Sequence, residues 1–312
     1  EPNFMAQWKT ILLLIWLYLL QGVVIAFPLS LRAVMAYEVD MCEDKRHIDT
    51  LLSFATMPFS VKIVVAPIVD YLELPFFKGN KHRRGWILVC GIISSFWMFL
   101  LAFNWGAIDP GEECPNGKLL LLHLLPIVMF AAIADIALDA LAIIVLAGPN
   151  IGYAAVAGTI GQTAGTRGGK PVLVLMSETS FGMGGCLYLA AAVMLVTSFA
   201  VLRIAEPALK RPNLSPWSLV KKGYATFYDI LCNRNALLFA FLLFIWKCGL
   251  QSASTSSIDL KNRGYTKKDT VVAGAFDVVP SLAFPAILAW KVTAKANPIK
   301  KLRQWAIPCY LL

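Results

Sequence analysis

Residues 119–146 read LLLLHLLPIVMFAAIADIALDALAIIVL, an apolar run punctuated by His123, Pro126 and two carboxylates, Asp135 and Asp139. The run is long enough to cross a hydrocarbon core as a helix. Within Ala134-Asp135-Ile136-Ala137-Leu138-Asp139 the two acids stand four apart, so a helix places them on one face, one turn apart. That face cannot meet lipid: a carboxylate at mid-membrane costs at least ~2.5–3.5 kcal/mol even on lenient insertion scales. The run therefore predicts a spanning helix whose acidic face looks into a bundle interior or a wet cavity. One helix further on, Gly161-Gln162-Thr163-Ala164-Gly165 supplies a second polar stretch in apolar surroundings.

The rest of the 312 residues agrees. The chain is 58% hydrophobic and 15% charged, with mean hydropathy +0.66, whereas soluble domains carry about a quarter charged residues. An all-α polytopic membrane protein is expected. The net charge of +9 then points to basic loops at a membrane surface and away from nucleic acid. The seven cysteines form no Cys-x-x-Cys pair, which signals neither a zinc site nor a disulfide framework. Cys42 and Cys114 fall in loops expected on one non-cytoplasmic side, where a disulfide is permitted. No metal or cofactor is expected.

Apolar runs of about twenty residues predict spans near 11–36, 48–72, 85–107, 118–147, 152–176, 183–204, 235–258 and 270–291, with a ninth starting near Leu302. The chain stops inside that run, which reads as a piece of a longer protein. Loops on the side of the N-terminus hold 16 Lys and Arg against 7 on the other side, predicting a cytoplasmic N-terminus. Six spans (1–204), a basic linker with Pro207, Pro212 and Pro216 (205–234) and a further set of spans (235–312) is the layout of transporters built from two halves.

Five basic residues lie inside or at the ends of spans: Arg32, Lys62, Arg167, Lys170 and Lys247. Against Asp135, Asp139 and Asp277 they leave a positive remainder that an anionic solute could balance. For Arg32, snorkelling to the interface is an equal reading. Thr163, Arg167 and Lys170 share one face at i, i+4 and i+7, with Gln162 at its edge. They either line a cavity or mark a break, since Gly165, Gly168, Gly169 and Pro171 weaken that helix. Gly161 and Gly165 read as a close-packing pair. Asp70, ending the second span, and Arg83-Arg84, opening the third, are spaced as a gating latch across a short loop.

Pro58-Phe59-Ser60-Val61-Lys62, Ala66-Pro67-Ile68-Val69-Asp70, Arg83-Arg84-Gly85-Trp86, Asp135-Ile136-Ala137-Leu138-Asp139, Ile151-Gly152-Tyr153-Ala154 and Gly161-Gln162-Thr163-Ala164-Gly165 occur in this order. Together they resemble the acetyl-coenzyme A transporter family of the major facilitator superfamily. Lys247-Cys248-Gly249-Leu250 looks like the start of that family's second half. The resemblance implies a twelve-helix bundle, here with eight complete spans and part of a ninth. It also implies import of acetyl-coenzyme A, a small anion, from the cytosol into the endoplasmic reticulum or Golgi lumen by alternating access.

Lys62, Asp70, Arg83, Asp135, Asp139, Gln162 and Lys247 match family positions, whereas Arg167 and Lys170 do not. The substrate-contacting set is accordingly Lys62, Lys247, Asp135, Asp139, Gln162, Thr163 and Arg167, and the gating set Asp70, Arg83 and Arg84. Proton-coupled muropeptide permeases share the Arg-Arg-Gly-Trp-like and Asp-Ile-x-x-Asp features and are the nearest alternative. A membrane-embedded enzyme fits poorly, because the two acids share one helix and His47, His82 and His123 form no cluster.

Overall fold

The computed structural model describes residues 4–38, 45–77, 82–109, 116–146, 150, 152–177, 179, 181–207, 215–250, 264, 269, 272, 276 and 278–283. Among them regular structure is entirely helical: α1 (Phe4–Glu38), α2 (Lys45–Ala55), α3 (Met57–Tyr71), α4 (His82–Phe103), α5 (Trp105–Ile108), α6 (Gly117–Val145), α7 (Gly152–Thr163), α8 (Gly169–Ser177), α9 (Gly182–Ala200), α10 (Pro216–Cys232) and α11 (Arg234–Leu250). Five stretches are long and apolar enough to cross a membrane: Gln7–Phe27, Thr50–Tyr71, His82–Phe103, Gly117–Val145 and Gly182–Arg203. The protein is an all-α polytopic membrane protein. The expected span at 270–291 is described only at 272, 276 and 278–283, and the one starting near Leu302 lies outside the described residues, as do Cys42 and Cys114.

Three expected spans are subdivided, each for a local reason. The second bends at Thr56, between α2 and α3, because Pro58 in the first turn of α3 has no N–H to continue the ladder. There Thr56 turns back on Ser53, its N–H and hydroxyl both donating to the Ser53 carbonyl. The third ends at Phe103, and Asn104 starts the short α5. The span at 152–176 is α7 and α8 joined by a π-helical turn, Ala164–Gly168. Pro171 can neither donate to Arg167 nor leave room for its carbonyl, so this turn must widen.

The helices pack around α6. It is flanked chiefly by α4, α3 and α2, with α1 alongside; α4 is backed by α9, and α1 by α7, the π turn and α8. Glycines set the α1–α7 spacing: a Cβ on Gly22 would lie 2.5 Å from the Gln162 carbonyl oxygen, and one on Gly165 would lie 2.0 Å from that of Leu19. The two backbones are in direct contact, as small residues allow in membrane bundles.

Buried apolar side chains form two clusters. One gathers Val24 and Phe27 of α1, Met98 and Leu101 of α4, and Leu124 and Ile127 of α6. The other gathers Leu14 and Tyr18, Ile87, and Ile136, Leu138 and Leu141 of the same three helices. Between them runs a belt of polar side chains, Gln21, Ser94, Ser95, Asp135, Thr197 and Ser198, all buried. The candidate site lies in this belt.

Candidate functional site

Asp135 is the centre of the belt. Its side chain is 1% exposed, as a carboxylate kept from lipid within an apolar run requires. Lys62 of α3 meets it, with Nζ 2.5 Å from Oδ2. Gln162 of α7 donates its amide N–H to Oδ1 at 3.1 Å. Gln21 of α1, its amide oriented to suit its neighbours, donates to the same oxygen at 2.9 Å and accepts from the Asp135 backbone N–H at 2.8 Å. One carboxylate is therefore held from three other helices, by one cation and two amides. Charge-assisted bonds of this kind each contribute roughly 1.5–3 kcal/mol, which makes burial of the anion tolerable.

Asp139, one turn along, is exposed and accepts a hydrogen bond from the Tyr18 hydroxyl at 2.7 Å. Lys62 also borders a cleft of ≈ 270 Å³ between α3 and α6, walled by Val61, Val65, Leu125, Met129 and Ile133. Its side chain is 35% exposed, and its ammonium lies 6.0 Å from the centre of the Phe59 ring. The lysine thus has one side on a buried carboxylate and the other on an open, otherwise apolar cleft.

A second charged group sits where α3 ends, α4 begins and the chain leaves α9, at the end of the bundle that holds the N-terminus. The buried Glu206 carboxylate accepts from the backbone N–H groups of Arg83 (3.2 Å) and Arg84 (3.3 Å), filling the open donors of the first turn of α4. Arg84 pairs with it at 3.7 Å and donates to the Leu202 carbonyl at 3.2 Å. Arg83 pairs with Asp70 at 3.8 Å. His82, fully buried, donates from Nε2 to the Val69 and Asp70 carbonyls at 2.9 and 3.2 Å.

Of the expected site residues, Lys62, Asp135 and Gln162 come together directly, and Asp139 lies one turn away. Thr163 is half-buried at the end of α7 and Arg167 is exposed on the π turn; neither is bonded to Asp135. The single α-helical face expected for Thr163, Arg167 and Lys170 is replaced by that turn. Lys247 stands on the backbone of α11, and its side chain lies outside the described residues, as does Asp277. Asp70 pairs with Arg83, whereas Arg84 pairs with Glu206. Sequence reasoning missed Tyr18, Gln21 and Glu206. The first two stand three apart on α1, a helical spacing that could have paired them with the acids of α6. Among the described residues, no three His, Cys, Asp or Glu side chains gather to hold a metal ion.

Membrane-length helices thus enclose a neutralised carboxylate beside a lysine open to a cleft, in a polytopic membrane protein. Residues 10–181 match the family described as Acetyl-coenzyme A transporter 1, and the chain belongs to that family. It is also similar to a Rickettsia felis protein named "Putative transporter AmpG 4", at 24% identity over 75% of this chain and 56% of the relative. An uncharacterized membrane protein of Saccharomyces cerevisiae, YBR220C, is 24% identical over 87% of this chain and 58% of its own length. A Schizosaccharomyces pombe protein, C21B10.09, is 28% identical over 58% of this chain and 33% of its own. The chain spans little more than half the length of the first two relatives.

Proposed function

We propose that this protein carries acetyl-coenzyme A from the cytosol into the lumen of the endoplasmic reticulum or Golgi by alternating access. Two helical halves, 1–204 and a second beginning within 235–312, rock about a midplane site on either side of the linker 205–234. The excess of Lys and Arg in the loops on the N-terminal side supports a cytosolic N-terminus. The family match supports the substrate class.

The observation that carries the reading is Lys62, a cation at membrane depth that borders both Asp135 and an open cleft. Coenzyme A derivatives bear several phosphate charges, which lysine recognises as a point charge. Lys62 and Lys247, one from each half, hold those phosphates. Asp135, Asp139 and Gln162 orient the cations, and Thr163 and Arg167 contribute to the wall. Asp70, Arg83 and Arg84 form a latch that closes one end of the pathway and opens as the halves rock.

The test is uptake of labelled acetyl-coenzyme A into proteoliposomes by the full-length protein, with Lys62→Ala beside it. Saturable uptake lost in the variant supports the assignment; equal uptake by both sinks it. The Arg-Arg-Gly-Trp-like and Asp-Ile-x-x-Asp features support a second reading, a proton-coupled permease of the muropeptide type. Counterflow with acetyl-coenzyme A, coenzyme A and a muropeptide separates the two.

A further inference from the structure

Lys62 and Asp135 are unequally placed. The lysine is 35% exposed and borders the cleft, while the carboxylate behind it is 1% exposed. A solute in the cleft can reach Lys62 but not Asp135. An anion that binds Lys62 competes with Asp135 for the charge of the same ammonium. What remains behind is a buried carboxylate, which low-dielectric surroundings penalise unless other donors hold it. Those donors are present: the amides of Gln21 and Gln162 both point at Asp135 Oδ1, leaving Oδ2 to the lysine alone among the described residues.

We infer that Asp135 is a built-in competitor for Lys62, displaced by the anionic solute and returning to the lysine to expel it, while Gln21 and Gln162 stabilise the carboxylate in the interval. Asp135, Gln21 and Gln162 are therefore positioning residues, and Lys62 touches the substrate. The inference rests on the transport reading above and adds the direction in which each substitution splits binding from turnover.

Asp135→Asn keeps the shape and removes the competitor. Its KM for acetyl-coenzyme A falls about tenfold, the worth of a charge-assisted bond, while kcat falls because the solute is no longer expelled. Gln162→Leu has the opposite effect on KM, raising it several-fold, because the displaced carboxylate loses a donor; Gln162→Asn restores part of the loss. Gln21→Leu behaves like Gln162→Leu and serves where either variant fails to insert.

The measurements are concentration-dependent uptake and equilibrium binding of acetyl-coenzyme A with the full-length protein in proteoliposomes. Native protein that transports, together with an Asp135→Asn KM that is unchanged or raised, overturns the competitor role and leaves the transport reading intact. The same holds if the glutamine variants leave KM unmoved. Native protein with no saturable uptake overturns both.

Discussion

The two charged groups of this bundle use the same residue types in opposite ways. At the polar belt, Asp135 is 1% exposed and its lysine stands at 2.5 Å, with two amides completing the shell. At the N-terminal end, Arg83 faces Asp70 at 3.8 Å, and that carboxylate is 39% exposed. Loss of the lysine would leave the belt carboxylate buried without its cation, with large consequences. A 3.8 Å pair whose carboxylate is exposed contributes little, about 0–1 kcal/mol. At the belt the buried partner is the carboxylate, whereas at the end it is the arginine, 11% exposed. Glu206 differs from Asp70 beside it: although it belongs to the end, it is buried like Asp135 and bound to backbone N–H groups. It fastens the chain leaving α9 to the start of α4.

The comparison can be broken in four places. The largest effect is expected for Lys62→Ala, which leaves Asp135 buried without its cation; kcat/KM for uptake should fall about thirtyfold or more. Adding Asp135→Asn to it should recover thermal stability in detergent but not transport. If transport returns as well, the lysine is structural. Next is Glu206→Ala, which strips the first turn of α4 of its acceptor and should cost roughly 1–3 kcal/mol of stability, read as a lower thermal midpoint. An unchanged midpoint would show that Glu206 contributes no more than the Asp70–Arg83 pair. Tyr18→Phe removes the one described partner of an exposed carboxylate, and a loss of about 1 kcal/mol, or some fivefold in kcat/KM, is expected. The smallest effect belongs to Asp70→Asn: less than about 1 kcal/mol and diminished by salt. A larger, salt-insensitive effect would show that the end is as rigid as the belt.

Much of the belt was legible before any coordinates. A carboxylate within an apolar run and a lysine within a span both need partners away from lipid, so Asp135 and Lys62 announced themselves by what lipid forbids; Asp139, expected on the same inward face, is exposed. Tyr18 and Gln21 gave no such signal. A tyrosine in a span reads as packing or as an interfacial anchor, and one neutral amide costs too little to demand explanation. Glu206 was hidden for a different reason: it follows the last residues of a span, where a charge is ordinary, and its partner helix begins more than a hundred residues earlier. The π turn was half legible. Gly168, Gly169 and Pro171 warned of weakness, but whether a weakened helix breaks or widens depends on what it packs against, here α1 at Gly22.

That glycine contact constrains how the molecule can deform. With Gly22 and Gly165 bringing main chain against main chain, no layer of side chains lies between α1 and the α7–α8 rod to act as a bearing. Sliding one past the other would drive carbonyls into Cα atoms, so the two behave as a fused strut. α3, by contrast, follows a bend at Thr56, carries Pro67 within it and packs against α10. The helix that carries Lys62 is thus jointed where the α1–α7 pair is fused.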